Sequence, residues 1–176
     1  MKKATLIVAL LIYSLNLFAQ APNWAWAKSA EGIGFDYGEA ISTDASGNIF
    51  VTGSFQSSTI KFGTTTLTGS GGDDIYVVKY DPSGNVLWAK SAGGTDDDYG
   101  VGISTEASGN IVVTGAFYSS YITFGSTILT NRGGGDIFVV KYDPRGNELW
   151  AKSDGDTGGE EGLGISTEAC FNIRVT

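Results

Sequence analysis

Short runs in which apolar and polar residues alternate recur along the chain, and each run is bounded by glycine, asparagine, aspartate or proline. In Ile49–Phe55 the odd-numbered residues fall on one face of an extended strand and the even-numbered residues on the other. No stretch has the period of an amphipathic helix, so we predict an all-β chain. Further strands are predicted at Ala40–Thr43, Ile60–Phe62, Thr65–Thr68, Ile75–Tyr80 and Val86–Ser91.

Two connections between these runs have the composition of tight turns. Asp44–Asn48 and Asp81–Asn85 each begin with an aspartate, whose carboxylate can accept hydrogen bonds from the backbone that follows. Each also holds a glycine at its fourth position, which suits a left-handed backbone conformation. A third connection, around Gly63, is predicted to close an additional short hairpin between the runs at Ile60–Phe62 and Thr65–Thr68.

The chain repeats itself at a fixed interval. The phrase Trp-Ala-Lys-Ser begins at Trp26, Trp88 and Trp150, and both intervals are 62 residues. Units 26–87 and 88–149 align without a gap and are identical at 42 of 62 positions, and a third unit, 150–176, is truncated. Four main strands per unit in tandem predict β-propeller blades over residues 21–176, about two and a half of them. The alternative is a β-solenoid, whose rungs are shorter and lack two tight glycine turns per unit.

Propellers contain about four to eight blades, which is more than this sequence supplies. The segment 23–28 corresponds to the last strand of a unit without its first three strands. We therefore expect the chain to be the N-terminal part of a larger propeller. Its open strand edges are expected to pair with blades outside this sequence or with other copies of the chain.

Residues 1–20 have the layout of a secretory signal peptide. Lys2 and Lys3 precede an apolar stretch at 4–19, and small residues at Ala19 and Ala21 offer a cleavage point. The stretch is shorter than the roughly 20 residues that span a bilayer. The mature chain is therefore predicted to be secreted or displayed at the cell surface, with no membrane span after cleavage.

Composition removes several kinds of chemistry from consideration. The chain contains no histidine and a single cysteine, Cys170, which excludes histidine-based catalytic triads and disulfide frameworks. Its net charge of −8 becomes about −10 once Lys2 and Lys3 are removed, and such a surface repels nucleic acid. We predict no catalytic residue, no cofactor and no metal ion.

A set of short segments recurs in both complete units. In the first unit these are Asp36–Gly38, Asp44–Asn48, Val51–Gly53, Gly71–Gly72, Asp74, Val77–Pro82 and Gly84–Asn85, and nearly all are repeated from Asp98 to Asn147. In these segments the units resemble the SBBP β-propeller repeats of secreted proteins of Gram-negative bacteria, and the likeness covers almost all of the chain after the signal peptide. It implies a long surface or extracellular protein, often with a type IX secretion sorting domain at its end. The third unit departs from the pattern, because Cys170 and Phe171 replace serine and glycine in the first turn, which leaves that hairpin in question.

Aromatic residues at equivalent positions are the first candidates for binding. Trp26, Trp88 and Trp150 could present stacking platforms for sugars, but packing between blades is the favoured interpretation. Tyr37 and Tyr99 follow acidic, glycine-rich loops and are stronger candidates for an exposed site.

The triplet Asp96-Asp97-Asp98 is the densest local charge, and Asp73-Asp74 is a lesser one. Clustered carboxylates can bind calcium, which prefers six to eight oxygen ligands. The residue spacing of a helix–loop–helix calcium loop is absent, and the triplet does not recur in the first unit, so a metal site is not predicted. Whether the triplet binds calcium is left open.

The favoured function is a non-enzymatic propeller scaffold that binds an extracellular protein or glycan. Specificity is expected in the loops that differ most between units, at Glu31–Phe35 against Gly93–Asp97 and at Gly69–Asp73 against Asn131–Gly135. One alternative is the N-terminal part of an extracellular enzyme whose catalytic residues lie in other blades or in an appended domain. Another is a purely structural role in a surface layer or adhesive.

Overall fold

The computed structural model describes residues 25–167 and 173–175. The predicted signal peptide and the turn that contains Cys170 and Phe171 lie outside the described residues. Within them the fold is all-β, as predicted. The strands are β1 (Asp36–Thr43), β2 (Ile49–Phe55), β3 (Thr59–Phe62), β4 (Thr65–Thr68), β5 (Asp74–Tyr80), β6 (Val86–Ala92), β7 (Asp98–Thr105), β8 (Ile111–Phe117), β9 (Tyr121–Phe124), β10 (Thr127–Thr130), β11 (Asp136–Tyr142), β12 (Glu148–Asp154), β13 (Ile165–Thr167) and β14 (Ile173–Val175).

These strands form two four-stranded antiparallel blades and the beginning of a third unit. The first blade has the order β1-β2-β5-β6, and the second blade has the equivalent order β7-β8-β11-β12. Each blade carries a separate two-stranded hairpin, β3-β4 or β9-β10, inserted between its second and third strands. Strands β13 and β14 pair with each other and continue the 62-residue spacing. The propeller-blade architecture predicted from the repeat is confirmed.

The first strand of each blade begins earlier than the alternation pattern predicts. It extends from Asp36 rather than from Ala40, and its register with β2 shifts between Gly38 and Ala40. A bulge places two residues of one strand opposite a single residue of the other, which breaks strict alternation. The pattern therefore identified only the part of β1 that follows the bulge.

The aspartate turns form as predicted. The Oδ1 atom of Asp44 accepts hydrogen bonds from the backbone N–H groups of Ser46 and Asn48, both at 2.9 Å. The Asn48 side chain donates to the second carboxylate oxygen at 2.7 Å. Burial acts to raise the pKa of Asp44, but the hydrogen bonds from Asn48 and Ser46 outweigh it and the pKa is lowered. The carboxylate therefore stabilises its turn in the ionised form.

The two blades stack face to face. Strand β7 lies against β1, β2 and β5 of the first blade. The core between the blades is built from buried apolar side chains, among them Phe50, Ile75 and Val77 from the first blade and Val113 and Phe138 from the second. Their removal from water is the main favourable contribution to this stacking. No helix among the described residues is long and apolar enough to cross a membrane.

Candidate functional site

Each blade has two chemically different ends. At the turn end, residues 44–48 and 81–85 of the first blade connect its strands through tight aspartate turns. At the opposite end, which we call the loop end, the longer segments 31–35, 69–73, 93–97 and 131–135 lead into the strands. All four loops that differ most between the units therefore lie at one end of the blades, where a scaffold can present them together.

Two of these loops meet at the junction between the blades. The backbone N–H of Asp73 donates to the Asp97 carboxylate at 3.1 Å, and the N–H of Asp98 donates to the Asp73 carbonyl at 2.6 Å. The loops 69–73 and 93–97 thus hold each other in place. The loop 131–135 makes an equivalent contact with the third unit, because the backbone N–H of Glu160 donates to the Gly135 carbonyl at 2.9 Å, and Gly134 adds a bond to the carbonyl of Gly158 at 2.6 Å.

The acidic triplet has two different environments. Asp98 is fully buried, and its carboxylate accepts bonds from the N–H groups of Gly94, Tyr118 and Ser119 and from the Ser119 hydroxyl, at 2.8–3.2 Å. Asp96 and Asp97 are exposed. Asp98 therefore orders the loop, while only its two neighbours face solvent.

Buried carboxyl groups accumulate on the first-blade side of this junction. Asp73 and Asp74 are buried, and each has one carboxylate oxygen that accepts no hydrogen bond from the described residues. Burial, followed by the charges of Asp98 and Asp73, raises the pKa of Asp74 to about 6. Burial also raises the pKa of Asp73, and nearby Asp97 and Asp36 add to this effect. No group of three or more acidic, histidine or cysteine side chains within the described ranges is arranged to hold a metal ion.

A shallow cleft opens beside the junction. Its walls are Gly72, Thr95, Asp96, Asp97 and Tyr118. The Tyr118 hydroxyl donates to Glu161 at 2.8 Å, and this bond, with burial, raises the pKa of the phenol. A fixed aromatic ring beside two exposed carboxylates can stack against an apolar surface while the carboxylates accept hydrogen bonds.

Tyr99 and Tyr37, the two tyrosines predicted for an exposed site, differ in setting. Tyr99 is half-buried and contacts Tyr118 edge-on, with ring centroids 6.2 Å apart. Burial, followed by Asp97 and Asp73, raises its pKa to about 12. Tyr37 is 49% exposed and stacks on Phe35 with centroids 6.4 Å apart. The structure therefore places Tyr99 behind the cleft and Tyr37 on the far side of the first blade.

The tryptophans lie at the turn end, where Trp88 connects the two described blades. Trp88 on β6 packs on the turn 143–147 of the second blade, and its Nε1 donates to the carbonyl of Pro144 at 3.1 Å. Lys79 donates to the same carbonyl at 3.1 Å. Trp26 makes the matching bond to Pro82 at 3.0 Å. The interpretation of these residues as inter-blade packing groups is confirmed for Trp88. Trp26 makes the same contact with the first blade from a segment outside the described sheets, and Trp150 is half-buried on β12.

Three residues that make contacts at the two ends of the blades were not predicted from the sequence. Tyr118 aligns with Gln56 of the first unit, so a substitution between units marks it, but it lies outside the two most divergent loops. Ser119 repeats Ser57 and carries no distinguishing signal. In the sequence Lys79 has the pattern of an ordinary strand lysine, but in the structure it is 5% exposed and contacts both blades.

Tandem four-stranded blades, stacked through apolar faces and joined by tryptophan contacts, define this chain as a β-propeller repeat scaffold. The chain is similar to two curated proteins, the first of which is named for a propeller repeat. The uncharacterized WD repeat-containing protein L264 of Acanthamoeba polyphaga mimivirus is 30% identical over 143 residues, which cover 73% of this chain and 10% of that protein. The regulatory protein FlaEY of Caulobacter vibrioides is 27% identical over 130 residues, 70% of this chain and 13% of that protein.

The chain therefore spans about a tenth of the length of these curated relatives. No family model matches the chain. The WD repeat is itself a propeller-blade repeat, so the first relative supports the same architecture as the strand order.

Proposed function

We propose that this chain is part of a secreted or cell-surface, non-enzymatic propeller scaffold of the SBBP-like kind, which binds an extracellular protein or glycan at its loop end. The observation that carries the proposal is the cleft of Gly72, Thr95, Asp96, Asp97 and Tyr118. It forms where two loops that differ between the units meet, on a frame that is otherwise repeated.

The chemistry of the cleft suits recognition by stacking and hydrogen bonding. Tyr118 supplies a ring held by Glu161, and the two exposed carboxylates accept hydrogen bonds from hydroxyl or amide groups. Sugars and polar peptide segments both offer such donors beside apolar surface. The negative charge additionally favours a ligand that is neutral or basic.

The pairing of serine and aspartate at this junction supports a structural role and not a catalytic one. Ser119 donates to Asp98 at 2.8 Å, but both side chains are buried, so a substrate has no access to the hydroxyl. The same carboxylate is committed to backbone donors that order the loop. Within residues 25–167 and 173–175, no observation favours the alternative of an enzyme whose active site lies elsewhere in a longer protein.

The proposal is tested by screening the purified chain on a glycan array and against a panel of purified extracellular proteins. A ligand bound at the cleft is expected to lose about tenfold or more in affinity on Tyr118→Ala, because its stacking surface is removed. Tyr121→Ala is the matched control, since Tyr121 is 59% exposed but lies on the β9 hairpin. Equal loss in both variants, or none in Tyr118→Ala, contradicts the placement of the site.

A loop exchange tests specificity separately. Replacing 93–97 by the sequence of 31–35 removes Asp96 and Asp97 while keeping the loop length. We expect binding to fall. The free energy of unfolding should also fall, because the exchange removes the hydrogen bond between Asp97 and Asp73 and places a side chain at Gly93 against buried Asp74, so binding is compared under conditions in which the variant is folded. Unchanged binding after the exchange means that the variable loops do not carry recognition.

A further inference from the structure

Two pockets occupy equivalent places at the outer edge of the blades. The one beside the first blade, which we call the first edge pocket, has a volume of about 240 Å³. The second edge pocket lies between the two blades and has a volume of about 260 Å³. Each of the eight residues that line the first has its counterpart, 62 positions later, in the second. Neither pocket shares a wall residue with the loop-end cleft.

Both blades contribute walls to the second edge pocket. Lys90 and Ser91 come from β6, the last strand of the first blade, whereas the hairpin turn at Gly125 and the beginning of β12 at Glu148 belong to the second blade. Trp88 and Lys90 stand two residues apart on β6, so their side chains lie on the same face of the strand. Because Trp88 packs on the second blade, Lys90 also faces that blade across the pocket.

The lysine and serine of each pocket have no structural task in the fold. Lys90 and Ser91 are exposed, and no hydrogen bond or ion pair joins either side chain to another described residue. The same holds for Lys28 and Ser29, which take their places in the first edge pocket. These polar groups are therefore available to a bound molecule at both places.

A buried phenol also lines each pocket. Tyr142 is 5% exposed, and its hydroxyl makes no hydrogen bond to a described residue. Burial, followed by the charge of Glu148 on the pocket wall, raises the pKa of this phenol, so the hydroxyl lies on the side of the ring toward that wall. Tyr80, its counterpart, is 8% exposed. Since buried polar groups in folded proteins are nearly always paired, a ligand hydroxyl in the pocket would supply the missing partner.

The walls indicate the chemistry of the ligand. The lysine and hydroxyl groups donate hydrogen bonds, and the side-chain carbonyl of Asn147 or Asn85 accepts them. Val86 of the first edge pocket is replaced by Glu148 in the second, where the Thr127 hydroxyl donates to its carboxylate at 2.7 Å. A ligand that fits both pockets must tolerate this negative charge, which disfavours an anion. Both volumes are below the roughly 300–1,000 Å³ of sites for drug-sized ligands, so the ligand has about the size of one sugar ring.

We propose that each edge pocket binds one neutral sugar residue of an extracellular glycan. The lysine and the phenol donate to sugar hydroxyls, the asparagine carbonyl accepts from them, and the sugar in the second edge pocket bridges the two blades. Lys152 and Ser153 on β12 repeat the lysine–serine wall for the third unit. Weak sites at a fixed interval favour a polysaccharide, because several contacts on one glycan chain add avidity. The proposal is independent of ligand binding at the loop-end cleft.

The first test is an NMR titration of the isotopically labelled chain with glucose, galactose, mannose and N-acetylglucosamine, each added alone. At least one of these sugars is expected to shift the backbone amide resonances of Ser126 and Asn147 together with those of Thr64 and Asn85, the equivalent residues. Shifts confined to Tyr118 and its neighbours support the loop-end site and overturn the present proposal. Absence of shifts at both edge pockets with all four sugars overturns it as well.

Reciprocal variants test the role of the phenols. Tyr142→Phe is expected to weaken sugar binding at the second edge pocket about fivefold or more and to leave the first unchanged, because it removes one hydrogen-bond donor. Tyr80→Phe should give the reverse result, so each variant is the matched control of the other. Neither substitution should lower the free energy of unfolding, since the hydroxyls have no partner among the described residues. If neither variant weakens its own pocket, or if each weakens both, the proposal is wrong.

Glucuronic acid tests the charge of the ligand. It is expected to bind the second edge pocket several-fold more weakly than the best neutral sugar, because Glu148 repels its carboxylate. Glu148→Gln should remove that difference without changing the affinity for the neutral sugar more than about twofold. Tighter binding of glucuronic acid than of every neutral sugar at both pockets identifies an anion site and overturns the proposal.

Discussion

The two blades share most of their sequence but differ in how completely they are buried. Ile41 and Ile103 are the same residue at the same strand position, and their exposed fractions are 68% and 7%. The turns, the strand order and the register are otherwise equivalent. The comparison teaches that a repeat specifies a blade locally, whereas the burial of its apolar face depends on which blade stands beside it.

The turn end and the loop end differ in how far the units share their contacts. The turn end repeats its tryptophan contact, because Trp26 and Trp88 donate to equivalent proline carbonyls. The loop end varies, and Tyr118 and the exposed carboxylates occur in the second unit only. Structural contacts are therefore concentrated where the units agree, and the candidate binding cleft lies where they disagree.

The largest expected difference between the blades comes from a charge on the shared isoleucine. Ile103→Asp places an unpaired carboxylate in the core between the blades and should lower the free energy of unfolding by about 4 kcal/mol. Ile41→Asp should change it by less than about 0.5 kcal/mol, because the site is exposed. Urea denaturation followed by circular dichroism measures both. Similar losses would show that the first blade's face is covered in solution.

The inter-blade tryptophan gives the next largest contrast. Trp88→Ala removes a ring that packs on Phe50, Tyr142 and the second-blade turn, and should cost about 3 kcal/mol. Trp150→Ala, at the equivalent position of β12, should lower the free energy of unfolding by about 1 kcal/mol, because none of the described residues forms a turn on which Trp150 packs. Thermal unfolding monitored by circular dichroism tests the pair. Equal costs would mean that Trp88 acts within its own blade.

The glycines in the two turns of the second blade test the contact between Trp88 and the turn 143–147. Gly109 and Gly146 both have left-handed backbone angles, with φ of 81° and 82°. A Cβ at Gly146 would lie 2.9 Å from the Trp88 ring, whereas one at Gly109 would meet Pro144 at an ordinary 3.4 Å. Gly146→Ala should therefore cost about 2 kcal/mol and Gly109→Ala about 1 kcal/mol, the latter from backbone conformation alone.

In the same measurement, Trp88→Ala should bring the cost of Gly146→Ala down to that of Gly109→Ala, since the clashing ring is gone. A double-mutant cycle with no interaction energy between Trp88 and Gly146 would contradict the inter-blade contact.

The last contrast is a dependence of stability on pH. The folded pKa of Asp74, about 6, lies above the unfolded value of 3.8, so this group stabilises the fold at low pH and loses that contribution as pH rises through about 6. Asp74→Asn should raise the free energy of unfolding at pH 7 relative to pH 4 by about 2 kcal/mol compared with the unsubstituted chain.

Glu106 provides the opposite sign as a control. Burial acts to raise its pKa, but hydrogen bonds from Lys141 and Asn110 prevail and lower it, so its contribution is present above the unfolded pKa and is lost as pH falls through the folded one. Glu106→Gln should therefore lower stability at pH 7 and flatten the loss on acidification. Urea denaturation at pH 3, pH 4 and pH 7 distinguishes the two variants. Relative to the unsubstituted chain, the free energy of unfolding should rise with pH for Asp74→Asn and fall with pH for Glu106→Gln, and changes of the same sign would contradict the assignment.

Much of the fold could be predicted because its determinants are local. Alternation identified β2, and the aspartate–glycine turns identified the connections between strands and, with them, β5. The bulge after Gly38 hid the start of β1, since an extra residue reverses the alternation that a strand prediction uses. The divergent loops were predicted as the variable region, but the contact between 69–73 and 93–97 depends on how the blades stack.

The sequence by itself determined the strands, the turns and the repeated four-stranded unit, because alternation, turn chemistry and the 62-residue interval are local properties of the chain. Only the tertiary structure decided that Asp98 is buried while Asp96 and Asp97 face solvent, and that Lys79 and Trp88 share one carbonyl. These contacts join residues far apart along the chain. They are formed when two blades stack, and neither composition nor spacing within one unit specifies which side chains then meet.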